Sequence, residues 1–576
     1  MSPLKGRKSS VRDWPYYGGG AMKNALVFCL IAAVSFDTSV RAAKQYPCRW
    51  FYMSSGLGSE ADVAYVAEKV RTAAGAGLNG MVFSGGLDRL SMQNEQYLQR
   101  LDRIKAVCAE NKMELIPLIF SVGYGGSVLA HDRELAAGIP VEDALFIARS
   151  GRAVFAQDPP VEFVNGGLES HNGLRVTGFN FHDKPGEVSF VDTNVFKEGA
   201  ASLRFEHFGN FEHGYGRIMQ EIRVRPHRLY RVSCWVKTEG LNPEGCFRFT
   251  ILTKDGRYIA PFDPRVPATT DWRKVTVGFN SLQYDTVRIY AGCWGGRQGR
   301  FWVDDFRIEE IGMVNLLRRP GTPITIRSER TGQILRPGID YIEPVDAKRN
   351  WRFDHDGPSI ELLADGAVKE GDRLRASFYH GIAINRGQVS VCMSEPRLYE
   401  IWTREARLLY ERLQPEKYLL SMDEIRAGGT CRACKERGLS MAEILGDCIT
   451  RQCDILRSNN PRAEVLIWSD MLDPNHNAHG DYYLVEGDFS GSWRYVPKDL
   501  IIVCWHHGKR RESLAHFSSL GFRTLAGAYY DGDTLENPRD WLHALDGTKG
   551  AIGIMYTTWQ NKYELLEPFG RLVIER

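Results

Sequence analysis

The chain has 576 residues, too many for one ordinary domain, and its 43% hydrophobic and 25% charged content is that of a globular protein with two or three domains. A net charge of +2 provides no basic field for nucleic acid, which excludes that partner class, whereas 13 Trp, 24 Tyr and 27 Phe supply flat rings suited to sugar faces.

Near the start, Met22 and Lys23 precede an apolar run from Ala25 to Phe36 and the small residues of Val40-Arg41-Ala42-Ala43 at cleavage spacing. The pattern predicts a leader and secretory signal peptide over 1–43, of which 1–21 are an upstream mis-start or a disordered leader. The run is too short for a bilayer, and no later stretch reaches the ~18–20 apolar residues that a span requires. The mature chain is therefore expected to be secreted or periplasmic, with no membrane association after cleavage. Of the 12 cysteines, Cys29 would leave with the signal, and the 11 that remain cannot all pair within one chain.

From Arg49 the order is strand 49–54, helix 60–76, strand 80–84, helix 93–111 and strand 114–121, ending in the Gly-rich loop Val122-Gly-Tyr-Gly-Gly126. Three βα units in succession predict a parallel sheet over 44–158. Residues 159–312 change to short alternating strands with turn signals, the pattern of a β-sandwich, and 313–386 continue as a second small β-module. The βα rhythm returns over 387–576, with strands at 418–424, 464–470, 500–505, 522–531 and 551–559. Three strands before the insert and five after it make eight, the number that closes a (β/α)8 TIM barrel, an α/β fold with both β-modules inserted after the third barrel strand.

On that fold the strand ends form the active face. They carry Asp423 and Glu424, Trp468 and Asp470, Trp505, Tyr529 and Tyr530 with Asp531, and Trp559 with Gln560. Adjacent carboxylates serve one site only where a strand's pleat breaks. Three Trp at equivalent positions would wall a sugar-sized pocket.

The Asp423-Glu424 pair, Trp468-Ser-Asp470, Trp505, the Tyr529-Tyr530 pair, Trp559 and the Cys392-Met-Ser-Glu-Pro396 approach together resemble the family 20 glycoside hydrolases, the β-N-acetylhexosaminidases. Asn165-Gly-Gly-Leu-Glu169, Tyr230, Trp235-Val-Lys-Thr238, Asp271-Trp272 and Trp302-Val-Asp304-Asp305 resemble the jelly-roll carbohydrate-binding modules, where such Trp and Asp residues serve the core and a structural calcium ion. The first resemblance implies a retaining, substrate-assisted, exo-acting hydrolase of N-acetylhexosamine-containing glycans, an exception to the usual two-carboxylate scheme. It implies Glu424 as general acid, Asp423 orienting the acetamido N–H, and Tyr529 or Tyr530 bonding its carbonyl; the remaining strand-end residues bind the sugar. The chain departs from that family at three places. The substrate-binding Arg has no counterpart but Arg49, at the wrong end of its strand, Ser121-Val-Gly-Tyr-Gly replaces an acidic Pro-Gly-His segment, and Gln560 replaces a glutamate.

Two other readings stay open: a glycosidase with Asp470 or Asp531 as nucleophile opposite Glu424, and a non-catalytic carbohydrate-binding protein on a decayed barrel. No cofactor is required for the hydrolysis. Cys431 and Cys434 follow the fourth strand and His476 and His479 the fifth, so the four predict a structural Cys2His2 zinc site, with a Cys431–Cys434 disulfide as the alternative.

Overall fold

The computed structural model describes residues 46–260, 264–385, 387–480 and 482–575. The expected signal peptide lies outside them. No helix among the described residues is long and apolar enough to cross a membrane.

Eight parallel strands close a barrel: β1 (Cys48–Ser54), β2 (Gly80–Ser84), β3 (Glu114–Ile119), β4 (Lys417–Leu420), β5 (Glu464–Trp468), β6 (Ile501–Cys504), β7 (Arg523–Tyr529) and β8 (Ala551–Thr557). Closure is made where β8 pairs β1, Gly553 opposite Cys48. Alternate residues point inward, and Trp50, Val82, Ile116, Leu466, Val503 and Met555 fill the interior. Their neighbours, such as Phe51, Met81, Ile467 and Ile502, face the helix layer, so both faces are buried and the strands read as unbroken apolar runs.

Around them pack α1 (Glu60–Gly75), α2 (Glu95–Glu110), α3 (Pro396–Leu413), α4 (Met441–Asn459), α5 (Arg510–Ser519), α6 (Glu536–Asp546) and α7 (Leu566–Ile574). Reciprocal capping boxes, Ser59 with Asp62 and Ser440 with Glu443, start α1 and α4. The barrel has one helix fewer than eight full βα units would give. Between β5 and β6 the described chain forms only 3-10 turns at Asp470–Leu472 and Ser492–Arg494 and a short strand at Leu484–Val485.

The insert is nested twice. Ile139–Arg149 and Arg152–Phe155, which the sequence reading leaves with the first part of the barrel, belong instead to the small β-module. They form a hairpin, with Ser150 and Gly151 at φ 50° and 76°, that pairs antiparallel with Arg373–His380, Phe146 opposite Leu374. The sandwich is inserted within that module, between Phe155 and Leu316. It comprises two five-stranded antiparallel sheets, with Val232, Phe301 and Val303 on one and Phe249, Ile251 and Ile289 on the other contributing to the core. Trp302 and Asp304 of the carbohydrate-binding-like motif serve packing and loop support here. Trp302 Nε1 donates to Asp192 at 2.9 Å, and Asp304 Oδ2 accepts from the backbone N–H groups of Lys197 and Glu198 at 2.7 and 3.1 Å.

Sandwich and module share one apolar cluster, in which Phe279 and Phe353 join Ile139, Ala376 and Phe378. Gly278 leaves room for the Phe353 ring, since a Cβ there would come within 1.9 Å of it. A fragment spanning 137–384 is therefore expected to unfold cooperatively, and residues 161–311 alone at lower temperature and more broadly, because their cut exposes the shared face. Calorimetry of both fragments checks this; equal melting would show that the sandwich core is independent.

Candidate active site

Strand β4 ends at Leu420, short of the expected Glu424, because the chain leaves extended conformation in Ser421–Ile425 and Glu424 adopts φ 49°. The break lets Asp423 and Glu424 address one site. Gly123, in the loop after β3, packs on this turn: a Cβ would lie 2.0 Å from the Asp423 carbonyl oxygen. Gln388 holds the turn from the other side, its Nε2 donating to the Glu424 carbonyl at 2.7 Å.

Both carboxylate oxygens of Glu424 accept hydrogen bonds, Oε1 in an ion pair with Arg426 Nη2 at 2.7 Å and Oε2 from the Tyr124 hydroxyl. Its side chain remains 22% exposed, at the barrel mouth. Asp423 accepts from Ser421 Oγ at 3.1 Å. Burial first, and then the charge of Glu424, push the Asp423 carboxyl up to about 6.

Asp470, expected to bind sugar or act as a nucleophile, is fully buried, with its carboxylate oxygens engaged by protein donors. Its carboxylate accepts from Glu424 N at 2.9 Å, Asn477 Nδ2 at 2.9 Å and Trp505 Nε1 at 3.3 Å, so it shapes the Asp423-Glu424 turn from behind. Burial, followed by the nearby Asp423, pushes it up to about 8 despite those three donors. A carboxyl raised in this way retains its proton in the folded state to higher pH than in the unfolded state. The folded state then binds more protons, and stability falls as pH rises from about 4 to about 8. Asp470→Asn keeps the shape but leaves one of three donors facing an amide N–H, a loss of about 1–3 kcal/mol. The variant is expected to melt below the parent at pH 5 and to regain ground by pH 8, a trend that a gap constant with pH would refute.

The pocket wall is aromatic. Trp559, 48% exposed, lies 5.2 Å from Tyr52 and 5.8 Å from Trp468, ring centroid to centroid, and Trp468 closes the floor. Tyr530 lies parallel to Trp505 at 5.9 Å and meets Trp559 edge-on at 6.2 Å. Of the two tyrosines expected here, only Tyr530 faces this wall. Tyr529 is turned into the core, stacked on Tyr556 at 4.0 Å. Three successive residues with positive φ, Tyr529, Tyr530 and Asp531, make this reversal, which strand alternation would not anticipate. The Tyr530 hydroxyl is buried beside the Trp559 indole, and its proton finds no acceptor among the described residues.

Asp531 turns away from the pocket as well. Its carboxylate caps the loop after β8, accepting from Trp559 N at 3.0 Å and Gln560 N at 3.3 Å, and this leaves Gln560 exposed. Arg49 lies at the opposite end of β1, its guanidinium donating to the Tyr46 and Gly77 carbonyls.

The four expected zinc ligands are not together. Cys431 and Cys434 lie buried with Cys392. His476 instead packs between Trp505 and His506, at 4.3 and 4.5 Å, with its pKa pushed down to about 3 by burial and then by His506 and His479. His479 is exposed, Nδ1 beside the Gly480 carbonyl at 3.2 Å. Arg426 and Tyr124, which hold the Glu424 carboxylate, are contacts that motif matching misses. The signals were Arg426 two places after Glu424 and the Gly-rich loop around Tyr124.

No protein-family model and no curated protein matches the chain. The similar solved structures include glycosidases and carbohydrate-binding modules. A rhamnosidase from Novosphingobium sp. PP1Y aligns over 92% of this chain and 58% of its own, at 11% identity and a TM-score of 0.34. The Flavobacterium johnsoniae chitobiase aligns over 89% of this chain and 44% of its own, at 7% identity and a TM-score of 0.34. TmCBM61, solved with β-1,4-galactotriose, aligns over 26% of this chain and 98% of its own, at 16% identity and a TM-score of 0.21. These are slight likenesses.

Proposed function

We propose that the chain is an exported glycoside hydrolase that releases terminal N-acetylhexosamine residues from glycans by a retaining, substrate-assisted reaction. The observation that carries this reading is the buried Tyr530 hydroxyl, framed by Trp505 and Trp559, which has a proton to donate and no acceptor among the described residues. An acetamido carbonyl seated there would receive it.

In this reaction the acetamido oxygen attacks the anomeric carbon as the glycosidic C–O bond breaks, and the leaving oxygen takes a proton from Glu424. Asp423 accepts the acetamido N–H and offsets the positive charge that develops on the resulting ring. Water then attacks the same carbon, returning its proton to Glu424 and reopening the ring with net retention. For the first step the leaving group takes the place of the Tyr124 hydroxyl on Glu424 Oε2, while Arg426 keeps Oε1 in position.

Tyr530→Phe tests the reading, because it removes one hydroxyl and leaves the ring stack. Turnover of an aryl N-acetylhexosaminide should fall roughly 2- to 10-fold, the worth of one neutral hydrogen bond, with little change on the plain hexoside. Equal effects on both substrates would refute an acetamido acceptor. The Arg426 ion pair favours a second reading, since a charged partner suits a carboxylate acting as nucleophile. Azide rescue of Glu424→Ala separates the two: a removed acid gives a glycosyl azide of retained configuration, a removed nucleophile one of inverted configuration.

A further inference from the structure

We propose that Cys392, Cys431 and Cys434 hold a zinc ion that fastens the loop after Glu424 to the segment leading into α3. The three sulfurs form a nearly equilateral triangle, 3.5 Å between Cys392 and Cys431, 3.6 Å between Cys392 and Cys434, and 3.6 Å between Cys431 and Cys434. All three residues are buried. An ion ~2.3 Å from each sulfur would sit roughly 1 Å above their plane, which is the pyramidal base of a tetrahedral zinc site. A disulfide would use two of the three and leave the third without a partner.

The local chain is built to converge the thiols. Cys431 precedes the single helical turn Arg432–Lys435, and Cys434 N donates to the Cys431 carbonyl at 3.1 Å, so the Cys-x-x-Cys segment folds as a knuckle with both sulfurs on one side. Cys392 comes from the segment leading into α3, fixed by its N–H to the Leu135 carbonyl at 2.8 Å and by Val391 N to the Val122 carbonyl at 3.0 Å. A small cavity opens beside the triangle, lined by Gly138, Gly428, Gly429 and Met441 as well as the cysteines, and it leaves a fourth coordination position to a water-sized ligand.

Charge is arranged to match. Three thiolates around a divalent ion carry one net negative charge, and the Arg319 guanidinium lies near Cys392 and Cys431. Arg319 is tied by Nε to Glu395 Oε1 at 2.6 Å and by Nη1 to the Ala136 carbonyl at 2.9 Å, while its buried Nη2 finds no partner among the described residues. Soft thiolates select zinc or copper(I) over oxygen-seeking ions. Since Cys392 leads into the barrel's α3 and Cys431 follows Glu424 by seven residues, one ion would bind two segments behind the active site, with Arg319 of the module beside it as a counter-charge.

The test uses the full chain purified without chelator and a reduced, metal-free sample of the same protein. Elemental analysis should find one zinc per chain, and cobalt(II) added to the reduced protein should give an intense thiolate-to-cobalt charge-transfer band. Cys392→Ser should lose zinc and weaken that band, whereas His476→Ala and His479→Ala keep both. Zinc return to the metal-free wild type should raise its Tm, a readout that stands if the cysteine variants fail to fold. The proposal is overturned by a zinc-free protein whose reduced form gives no cobalt band, by a Cys431–Cys434 disulfide in that zinc-free protein, or by copper in place of zinc.

Discussion

Glu424→Gln is expected to lower kcat by roughly 10²- to 10⁴-fold, the usual worth of a general acid, while ligand affinity changes by only a few-fold. The amide has the size of the carboxyl, so the turn held by Gln388 and Asp470 should persist. Its carbonyl oxygen can still accept from Arg426 and its NH2 can face the Tyr124 oxygen, so what is removed is the proton delivered to the leaving oxygen. The loss should therefore grow as the leaving group becomes poorer. Steady-state rates on a series of aryl glycosides measure it, and a variant that turns over poor leaving groups at the parental rate would remove Glu424 from the role.

Asp423→Asn is expected to cost on the order of 10²- to 10³-fold on N-acetylated substrates, comparable to removal of one preorganised charge-stabilising group. On plain hexosides the loss should be much smaller. A carboxylate can accept the acetamido N–H and stabilise a cationic ring, whereas an amide lacks the charge and presents its own N–H groups in one of its two orientations. Because burial and Glu424 hold the Asp423 carboxyl near 6, the N-acetyl-specific advantage should fade as pH drops below that value. Parallel pH–rate profiles on the two substrate classes check it. Equal losses at every pH would favour a carboxylate nucleophile.

The barrel was legible because its strands are buried on both faces and therefore stand out as apolar runs between amphipathic helices. The count of eight follows from that pattern alone. Periodicity does not report pairing across a long separation, so the Ile139–Phe155 hairpin, whose partner strand lies about 230 residues later, carries no mark of the sheet that it joins. For the same reason Cys392 was not grouped with Cys431. Neighbouring loops in a barrel suggest that Cys431 and His476 could meet, yet His476 lies against the Trp505 and His506 rings. At the barrel mouth, residue type pointed to strand ends that the structure brings together, but not to direction. Alternation gives no choice between Tyr529 and Tyr530 where three backbone positions enter the left-handed region. Nor does it separate a carboxylate that faces substrate from one, such as Asp470, that holds the turn behind it.

The double nesting of the insert has a consequence for biosynthesis. Leu118 and Ile119 of β3 lie opposite Leu419 and Leu420 of β4, so two strands adjacent in the finished sheet emerge about 300 residues apart. At roughly 5–20 residues per second, on the order of 15–60 s separate their synthesis. During that interval β1, β2 and β3, if they pair, would form a three-stranded fragment with both edges unpaired and both faces apolar, a template for association with other chains. The module and sandwich form their own sheets meanwhile, and the Ile139–Phe155 hairpin waits for Arg373–His380 in turn. Closure then runs from the innermost insert outward: sandwich, module, barrel. Yield of soluble protein should accordingly depend on how long a chaperone shelters the N-terminal fragment, and slower growth at low temperature with added holdase should raise it.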